Sequence, residues 1–555
     1  MGQFPDILIH NGRLITFDDA TPEATAIALT RGLITAVGGA ELNETTGPDT
    51  QVFDAQGGTV LPSFIDSHVH LFGGSVELSC LDLYRVMGLE ALTSAIAPYA
   101  AANPDDKIVF AVQADYAILH DDRTPMRHEL DQACPDRPFA MFAPDHHTMW
   151  ANTAALEVAG ILHGAATDAG SMIVMGDDGL ATGELREPGA YAYILKHTRH
   201  GGRDMAGLVT GADPVPTPTP AEREKDKAVI AAGMRHCAAQ GITGLHCMDG
   251  NRYQLELLTE MEAEGTLLCR TGVPFHFKSA DALDRLDEAA EFATQYQGDM
   301  VFSGYVKMFI DGVIEGRTAM MLQPYPGTED NYGDPVFEID HFTKACKRAD
   351  AMGLQIAVHS IGDAGIRATL NAYQAAREAN GVRDSRHRIE HLECMHPDDI
   401  PRIAALDAVA SIQPGHAPFG HVFPSEGVPK YLHDHQIAGA YAWRQIRETG
   451  APVIFSTDWP VMGVEVMTNI KAAIAPLDMG AGWADQTQTL METLESYTVG
   501  NAWVEFNEDR KGRLKAGMMA DVVVMSHDLT ALPPSEITQA RAQVTICGGR
   551  VTHLA

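Results

Sequence analysis

The spacing of hydrophobic positions differs between the ends of the chain and its middle. Near the N-terminus, short β-branched runs at residues 6–16, 27–38 and 52–61 are separated by glycine, asparagine or aspartate. Residues 520–525 and 544–551 show the same pattern near the C-terminus. Runs of this kind predict short strands joined by tight turns. We therefore expect the two ends of the chain to form a small sheet together.

The middle of the chain alternates between apolar strand-like runs and helical stretches. Residues 353–359 and 452–458 are examples of such runs. This βα alternation predicts a parallel sheet, and over so many residues it favours a barrel. Residues 211–220 interrupt the alternation with prolines and threonines, which predicts a loop that leads into a helix N-terminus.

Composition narrows the functional classes. The 555 residues allow a large barrel with smaller units, and the formal net charge of −34 argues against nucleic acid and anionic membranes as partners. The eight cysteines form no CxxC pair, which is typical of reduced thiols in a cytoplasmic protein. The N-terminal residues lack the pattern of a signal peptide, and no window approaches the roughly 18 apolar residues of a membrane span. We expect a small-molecule substrate.

The first candidate for chemistry is the segment Asp66-Ser67-His68-Val69-His70, which follows an apolar run. Residues two apart on a strand point to the same face, so His68 and His70 project together with Asp66. Two adjacent imidazoles make half of a zinc site. Taken alone, an HxH pair is equally typical of two structural histidines.

The second candidate is Lys307, which shares its strand face with Tyr305, Phe309 and Asp311. That face is predicted to point into the barrel, where an unpaired ammonium is costly. A salt bridge to Asp311 or to another acid would explain the lysine. Carboxylation by CO₂ would explain it equally well, because the product is an anion that can bridge two metal ions.

Three further polar residues end apolar runs, namely His359, His391 and Asp458. Each alone is typical of a structural polar residue, but their spacing changes the interpretation. His359 and His391 lie 32 residues apart, and His391 and Asp458 lie 67 apart, about one and two βα units. Lys307 precedes His359 by 52 residues. The five positions would then end strands 1, 4, 5, 6 and 8, at the barrel end that carries active sites.

The 239 residues between His68 and Lys307 far exceed three βα units of about 30 residues. This excess predicts an inserted subdomain at about 71–225, where the alternation is least clear.

The chain resembles the amidohydrolase superfamily, and within it the YtcJ-like branch that includes N-substituted formamide deformylases. The resemblance runs nearly end to end. It rests on LPSFIDSHVH (61–70), HTMWANTAAL (147–156), GELRE (183–187), GITGLHCMD (241–249), VKMFIDGVIEGRTA (306–319), VHSIGDAG (358–365), RIEHLE (388–393), YAWRQI (441–446), FSTDWPV (455–461) and RLKAGMMADVVVM (513–525).

The resemblance implies an α/β fold with a (β/α)₈ barrel over residues 61–511 and an insertion after barrel strand 1. It also implies a composite β-sandwich from residues 1–60 and 512–555. Because the family often forms dimers, a homodimer is one expectation for the assembly.

The resemblance further implies two divalent metal ions, zinc being the usual choice and iron or manganese the alternatives. His68, His70 and Asp458 would bind the first ion, His359 and His391 the second, and carboxylated Lys307 would bridge them. A metal-activated hydroxide would then attack a carbonyl carbon, and Asp458 would carry the proton to the departing amine. The expected reaction is hydrolysis of a non-peptide C–N bond of the N-acyl or N-formyl type.

Other readings of the same site stay open. Ester, lactone or phosphotriester hydrolysis and mononuclear deamination would use the same scaffold, and a non-catalytic relative would have lost ligands that this chain retains. Weaker candidates for substrate contact are His147, Arg317, Trp459 and Gln413. Two more positions, Glu184 and His416, are more readily explained as structural side chains.

Overall fold

A computed structural model describes residues 4–120, 123–168 and 170–555. The N-terminal region contains six short strands, namely β1 (Ile7–His10), β2 (Arg13–Leu14), β3 (Ala26–Thr30), β4 (Leu33–Gly38), β5 (Gln51–Asp54) and β6 (Thr59–Pro62).

The next segment begins with a strand and continues through a mixed region of helices and strands. Its elements are β7 (Phe64–Val69), α1 (Leu71–Glu77), β8 (Leu81–Asp82), α2 (Leu89–Ala102), β9 (Val109–Val112), α3 (Arg127–Ala133), β10 (Phe139–Phe142), β11 (Thr148–Ala151), α4 (Thr153–Val158), β12 (Met172–Met175), β13 (Ala181–Arg186), α5 (Pro188–Leu195), α6 (Ala206–Val209) and α7 (Pro220–Ala238).

Strands and helices then alternate. The elements are β14 (Ile242–Cys247), α8 (Arg252–Ala263), β15 (Arg270–Gly272), β16 (Phe275–His276), α9 (Leu286–Gln295), β17 (Val301–Phe302), β18 (Tyr305–Phe309), α10 (Ile339–Ala351), β19 (Gln355–Ser360), α11 (Asp363–Asn380), β20 (Arg388–His391), α12 (Ile400–Ala405), β21 (Val409–Ile412), α13 (Asp434–Ile437), α14 (Trp443–Glu448), β22 (Val453–Phe455), α15 (Val466–Ile474), α16 (Leu490–Tyr497) and α17 (Val499–Val504). Three strands end the chain, β23 (Val522–Met525), β24 (Ala542–Cys547) and β25 (Arg550–Leu554).

The two ends of the chain pair with each other. One sheet has the order β4-β3-β1-β5, and a second has the order β2-β6-β23-β24-β25. In the second sheet, β6 runs antiparallel to β23, so a strand near residue 60 lies beside one near residue 523. Apolar side chains from both ends share one buried cluster, including Ile27 and Val60 from one end and Val522 and Ile546 from the other.

Parallel pairing dominates the middle of the chain. Strands β7, β14 and β15 are parallel neighbours, and β16, β18, β19, β20, β21 and β22 follow one another in a second parallel sheet. Only residues 273–274 separate β15 from β16, so these two segments connect the sheets. Alternation of parallel strands with helices confirms the predicted α/β class.

The face of β18 that points away from Lys307 packs against apolar neighbours, as its sequence predicts. Val306 and Met308 are fully buried, and Ile310 continues the same face after the strand. Burying each such side chain contributes roughly 1.5–3 kcal/mol. This packing fixes the register that turns Lys307 to the interior.

Between β7 and β14 the chain forms a six-stranded mixed sheet with the order β12-β13-β11-β10-β9-β8. The helix that follows, α7, begins where the proline-rich loop ends. Thr219 accepts a hydrogen bond from the Glu222 N–H (3.3 Å), and the Glu222 carboxylate accepts one from the Thr219 N–H (2.7 Å). This capping box satisfies two backbone donors that a helix start leaves without partners. The predicted loop at residues 211–220 that runs into a helix is therefore confirmed.

Among the described residues, no helix combines the length and apolar character that a bilayer crossing requires.

Strands β7 and β22 are tied together by polar side chains. Asp66 on β7 accepts hydrogen bonds from the N–H (3.0 Å) and the hydroxyl (2.5 Å) of Thr457, just after β22. The amide of Asn501 on α17 donates to the carbonyl oxygens of Ile65 and Phe455, one on each strand. These contacts hold together the two strand ends that carry His68 and Asp458.

Replacing Asn501 with alanine leaves those two buried carbonyl groups without their donor. We expect Asn501→Ala to lower the free energy of unfolding by about 1–3 kcal/mol, which a lower thermal midpoint in calorimetry would report. Asn371→Ala is the control, because the exposed Asn371 contacts only Arg402 in a surface hydrogen bond. Equal midpoints for the two variants would contradict the bridging role of Asn501.

Candidate metal centre

The backbone brings His68, His70 and Asp458 together at one end of the parallel strands. The Asp458 N–H donates to the His68 carbonyl (2.9 Å), and the His70 N–H donates to the Trp459 carbonyl (2.7 Å). Asp458 itself has φ of 60°, a left-handed conformation that costs a non-glycine residue on the order of 1–3 kcal/mol. The surrounding hydrogen bonds therefore hold its carboxylate in a specific direction.

The Asp458 carboxylate contacts both histidines of β7. Its Oδ1 atom lies 3.3 Å from His68 Nε2 and 3.3 Å from His70 Nε2. Among the described residues, neither His68 Nε2 nor Asp458 Oδ1 has a hydrogen-bond partner, although both are buried. Two imidazole nitrogens and a carboxylate oxygen are ligands that zinc commonly takes. These three side chains can hold one metal ion.

A second group shares the same aspartate. Asp458 Oδ2 lies 3.8 Å from His391 Nδ1 and 3.8 Å from His416 Nε2. The rings of His391 and His416 are nearly parallel, with centroids 6.0 Å apart. These three residues can also hold an ion. His416 follows β21 and was expected to be structural; the structure instead brings it beside Asp458.

His359 stands next to this second group without being one of its three members. Its ring centroid lies 4.6 Å from that of His391. Its Nε2 contacts the Gly312 carbonyl oxygen at 3.1 Å. Because a carbonyl oxygen can only accept, Nε2 carries the proton and Nδ1 is left with a lone pair.

Lys307 points into the same interior and is fully buried. Its Nζ lies 4.4 Å above the Phe309 ring and has no hydrogen-bond partner in the described part of the chain. Burial lowers the pKa of Lys307 to about 8, despite the charges of Glu390 and Asp458. The sequence left two explanations for the buried lysine, an ion pair with an acid such as Asp311 or carboxylation by CO₂. The ion pair with Asp311 is not formed. That carboxylate instead accepts backbone N–H groups from Ile361, Gly362 and Met320.

Burial also determines the charge of the histidines. It lowers the pKa of His68, His359 and His391 well below the ordinary value, which favours the neutral form that binds metal. Burial also opposes the charged form of His70, but contacts with Asp249 and Asp458 outweigh it and raise the pKa to about 9.

Sequence reasoning overlooked the side chains that orient these histidines. Glu390 Oε2 lies 2.7 Å from His68 Nδ1, Asp249 Oδ1 lies 3.3 Å from His70 Nδ1, and Glu393 Oε1 lies 3.3 Å from His416 Nδ1. Asp249 follows β14, a parallel neighbour of β7, just as Asp458 follows β22. Searching every predicted strand end for acids would have found it.

The two ligand groups, with Lys307 and His359, line a cavity of about 1130 Å³. Its walls come from two parts of the chain. His391 and Asp458 follow the parallel strands, whereas Tyr116, His147 and Glu187 come from the segment inserted between β7 and β14. A small molecule in this cavity would contact both parts.

Comparison with known proteins identifies the chain. The sequence pattern described as "Amidohydrolase family" matches residues 51–553. The chain belongs to this family. The resemblance found in the sequence is thereby confirmed, as is the expectation of an amidohydrolase-type enzyme.

Two relatives of this amidohydrolase match nearly their whole length. YtcJ of Bacillus subtilis (strain 168) is 25% identical over 558 residues, which cover 98% of each chain. The N-substituted formamide deformylase of Arthrobacter pascens is 25% identical over 566 residues, covering 99% of this chain and 98% of the relative. Among solved structures, a metal-dependent hydrolase from Pyrococcus horikoshii has a TM-score of 0.72 at 22% identity and covers 95% of this chain and 99% of its own.

The weaker substrate candidates of the amidohydrolase separate into two kinds. His147 lines the cavity, and its ring centroid lies 5.8 Å from that of His359. Gln413 lies behind the site, where its Oε1 contacts His391 Nδ1 at 2.8 Å and its amide donates to the Ser456 hydroxyl. It orients a histidine and does not line the cavity.

Three other candidates lie away from the cavity wall. The Trp459 ring packs beside Gly74 and Gly233, on the side of α1 and α7, because the left-handed turn at Asp458 ends the strand alternation. Arg317 is exposed, with its guanidinium 5.5 Å from the ring centroid of Tyr431. Glu184 accepts hydrogen bonds from Thr124 and Arg186, its own neighbours, and none from Arg317.

His147 is paired with a carboxylate that controls its charge. Burial opposes protonation, but Glu187 Oε2, 2.9 Å from His147 Nδ1, raises the pKa of His147 to about 9. We expect Glu187→Gln to lower the pKa of His147 by about 1–3, measured by NMR titration of its ring protons. Glu184→Gln is the control, because Glu184 pairs with Arg186 and Thr124. An unchanged titration in Glu187→Gln would show that other groups hold the proton.

Proposed function

We propose that this amidohydrolase binds two divalent metal ions and hydrolyses an amide or another non-peptide C–N bond, of the N-acyl or N-formyl type. The observation that carries the proposal is the pair of ligand groups that share the Asp458 carboxylate. One carboxylate between two sets of imidazoles is suited to two neighbouring cations.

The donor set fits such ions. Imidazole and carboxylate ligands suit zinc, and they also suit iron or manganese. We propose that His68, His70 and Asp458 hold one ion and that His391 and His359, joined by His416, surround the other. The buried, unpartnered Nζ of Lys307 fits the further proposal that CO₂ carboxylates this amine to a bridging anion. When bound, the ions would activate water and polarise a carbonyl group of the substrate.

Asp458 would move the proton that C–N cleavage requires. Burial favours its neutral form, but the contacts with the His68 and His70 rings outweigh burial and hold the pKa of Asp458 far below the ordinary value. It is therefore a carboxylate, able to accept a proton from water. An amine cannot leave as an anion, so the same oxygen would return that proton to the leaving nitrogen.

The relatives support the type of bond, and the fold supports the rest of the proposal. The deformylase from Arthrobacter pascens acts, by its name, on N-substituted formamides. We propose a closed (β/α)₈ barrel over residues 61–511, an insertion at about 71–225, and a β-sandwich from residues 1–60 and 512–555. A small-molecule substrate, a homodimer and a cytoplasmic location are parts of the same proposal.

Carboxylation of Lys307 should depend on pH. The amine reacts with CO₂ only when neutral, and the pKa of about 8 makes much of it neutral at mildly alkaline pH. At constant CO₂ pressure, we expect a ¹³C carbamate signal in metal-free protein that falls as the pH decreases below about 8. Lys307→Met should lose that signal. Lys278→Met is the matched control, because burial lowers the pKa of Lys278 to about 8 as well. A signal that is unchanged in Lys307→Met and lost in Lys278→Met would place the carbamate on Lys278 and contradict carboxylation of Lys307.

Replacing Asp458 with asparagine tests the proton transfer. We expect Asp458→Asn to reduce kcat by about 10²–10⁴-fold while most of the zinc remains bound, because the amide cannot accept a proton. Activity would be measured on N-formyl amines, N-acetyl amines and matched esters, with zinc content from elemental analysis. Glu338→Gln, on the exposed rim of the cavity, is the control.

The substrate panel also decides between chemistries. Cleavage of esters without cleavage of either amide would favour the ester-hydrolase alternative. No turnover of any compound after zinc or manganese is restored would overturn the proposal.

A further inference from the structure

A chain of buried polar side chains crosses the interior of the parallel-strand region and ends at His68. It starts beyond α17 and passes between the strands. No side chain in it is more than 4% exposed. Its members, in order, are Lys511, Glu505, His246, Arg388, Glu390 and His68.

The outer half of the chain fixes one histidine. Lys511 forms an ion pair with Glu505 Oε2, and Glu505 Oε1 lies 2.6 Å from His246 Nε2. On the other side of the ring, Arg388 Nη1 lies 2.9 Å from His246 Nδ1. A guanidinium can only donate, so His246 Nδ1 must accept and Nε2 must carry the proton toward Glu505.

The inner half of the chain fixes the proton of His68 in the same way. Arg388 Nε lies 2.8 Å from Glu390 Oε1, and Arg388 Nη2 donates to Glu390 Oε2 at 3.2 Å. That same Oε2 lies 2.7 Å from His68 Nδ1. A carboxylate can only accept, so Nδ1 of His68 carries a proton and Nε2 keeps its lone pair. Nε2 is the atom that faces Asp458.

We infer that Arg388 is a positioning residue of this enzyme: its contacts with both Glu390 carboxylate oxygens hold that side chain in place, and Glu390 fixes the proton of His68 on Nδ1. The inference rests on the proposed metal-dependent function, because its consequence is a His68 Nε2 ready to bind a cation. A residue on β20 thereby prepares a ligand on β7 before any ion arrives.

The remaining donors of Arg388 explain why the position carries arginine. Nη2 also donates to the Ser67 carbonyl oxygen (2.6 Å), beside His68, and lies 3.1 Å from the Ser411 hydroxyl on β21. The planar guanidinium thus contacts the Glu390 carboxylate, the His246 ring and two other strands, β7 and β21, at once. An ammonium group has one nitrogen and cannot meet all of these partners.

Two measurements test the inference in variants at this position. The first is the protonated nitrogen of His68, read from ¹⁵N NMR of histidine-labelled, metal-free protein. The second is zinc affinity, measured by competition with a chelator. In Arg388→Met we expect His68 to populate the Nε2-protonated form and zinc to bind about 10–100-fold more weakly. Arg388→Lys should give a partial loss.

A matched control separates positioning from simple destabilisation. Arg270 on β15 forms a similarly buried pair with Asp521 (Nε to Oδ2, 2.8 Å) that does not belong to the chain leading to His68. Arg270→Met should lower the thermal midpoint but leave zinc affinity and the His68 proton unchanged. If Arg388→Met does not fold, the double variant Arg388→Met with Glu390→Gln removes the unpaired charge and can be measured instead.

In the double variant we expect stability to recover while zinc affinity stays low, because a glutamine can either donate or accept and no longer dictates the His68 proton. Recovery of both the stability and the zinc affinity would overturn the inference, and Arg388 would then have a structural role alone. So would an Nδ1 proton and zinc affinity within twofold of wild type in folded Arg388→Met. Failure of the wild-type protein to bind zinc or manganese would count against the proposed function instead, since the NMR measurement needs no metal.

Discussion

Two backbone hydrogen bonds, from the Asp458 N–H to the His68 carbonyl and from the His70 N–H to the Trp459 carbonyl, join the segment that follows β22 to the end of β7. Everything proposed for the site depends on this junction. It places a carboxylate within 3.3 Å of two imidazoles that lie nearly four hundred positions earlier in the chain. The hydrogen bond between Asp66 and Thr457 and the two hydrogen bonds donated by Asn501 stabilise the same junction.

Burial and nearby charges set the protonation state of the side chains at this junction and prepare them to bind a cation. Burial disfavours charged imidazole, so His68, His359 and His391 stay neutral with lone pairs available. Each of these three histidines has one nitrogen held by an acceptor, which is Glu390 for His68, the Gly312 carbonyl for His359 and Gln413 for His391, and the opposite nitrogen is left for other partners. The protein has paid the cost of ordering these side chains during folding, so a cation would meet a rigid set of ligands.

The segment inserted between β7 and β14 contributes side chains to the cavity that the strand ends do not provide. Strand ends present short, rigid ligands, whereas the insertion brings His147, charged by Glu187, next to His359, with ring centroids 5.8 Å apart. The cavity therefore combines protonated imidazoles, those of His147 and His70, with the neutral imidazoles of His68, His359 and His391. Selectivity for a substrate would then depend mainly on the insertion, and reactivity on the strands.

The sequence by itself determined much of this arrangement. Strand parity indicated that Lys307 points inward, and spacing in βα units correctly grouped His359, His391 and Asp458 at strand ends, because both signals are local or periodic. Only the tertiary structure decided which side chains meet. His68 and Glu390 are 322 positions apart, His416 reaches Asp458 through a loop, and the left-handed turn at Asp458 directs Trp459 away from the cavity. Such contacts depend on the geometry of turns and on packing between distant strands, and neither leaves a periodic trace in the sequence.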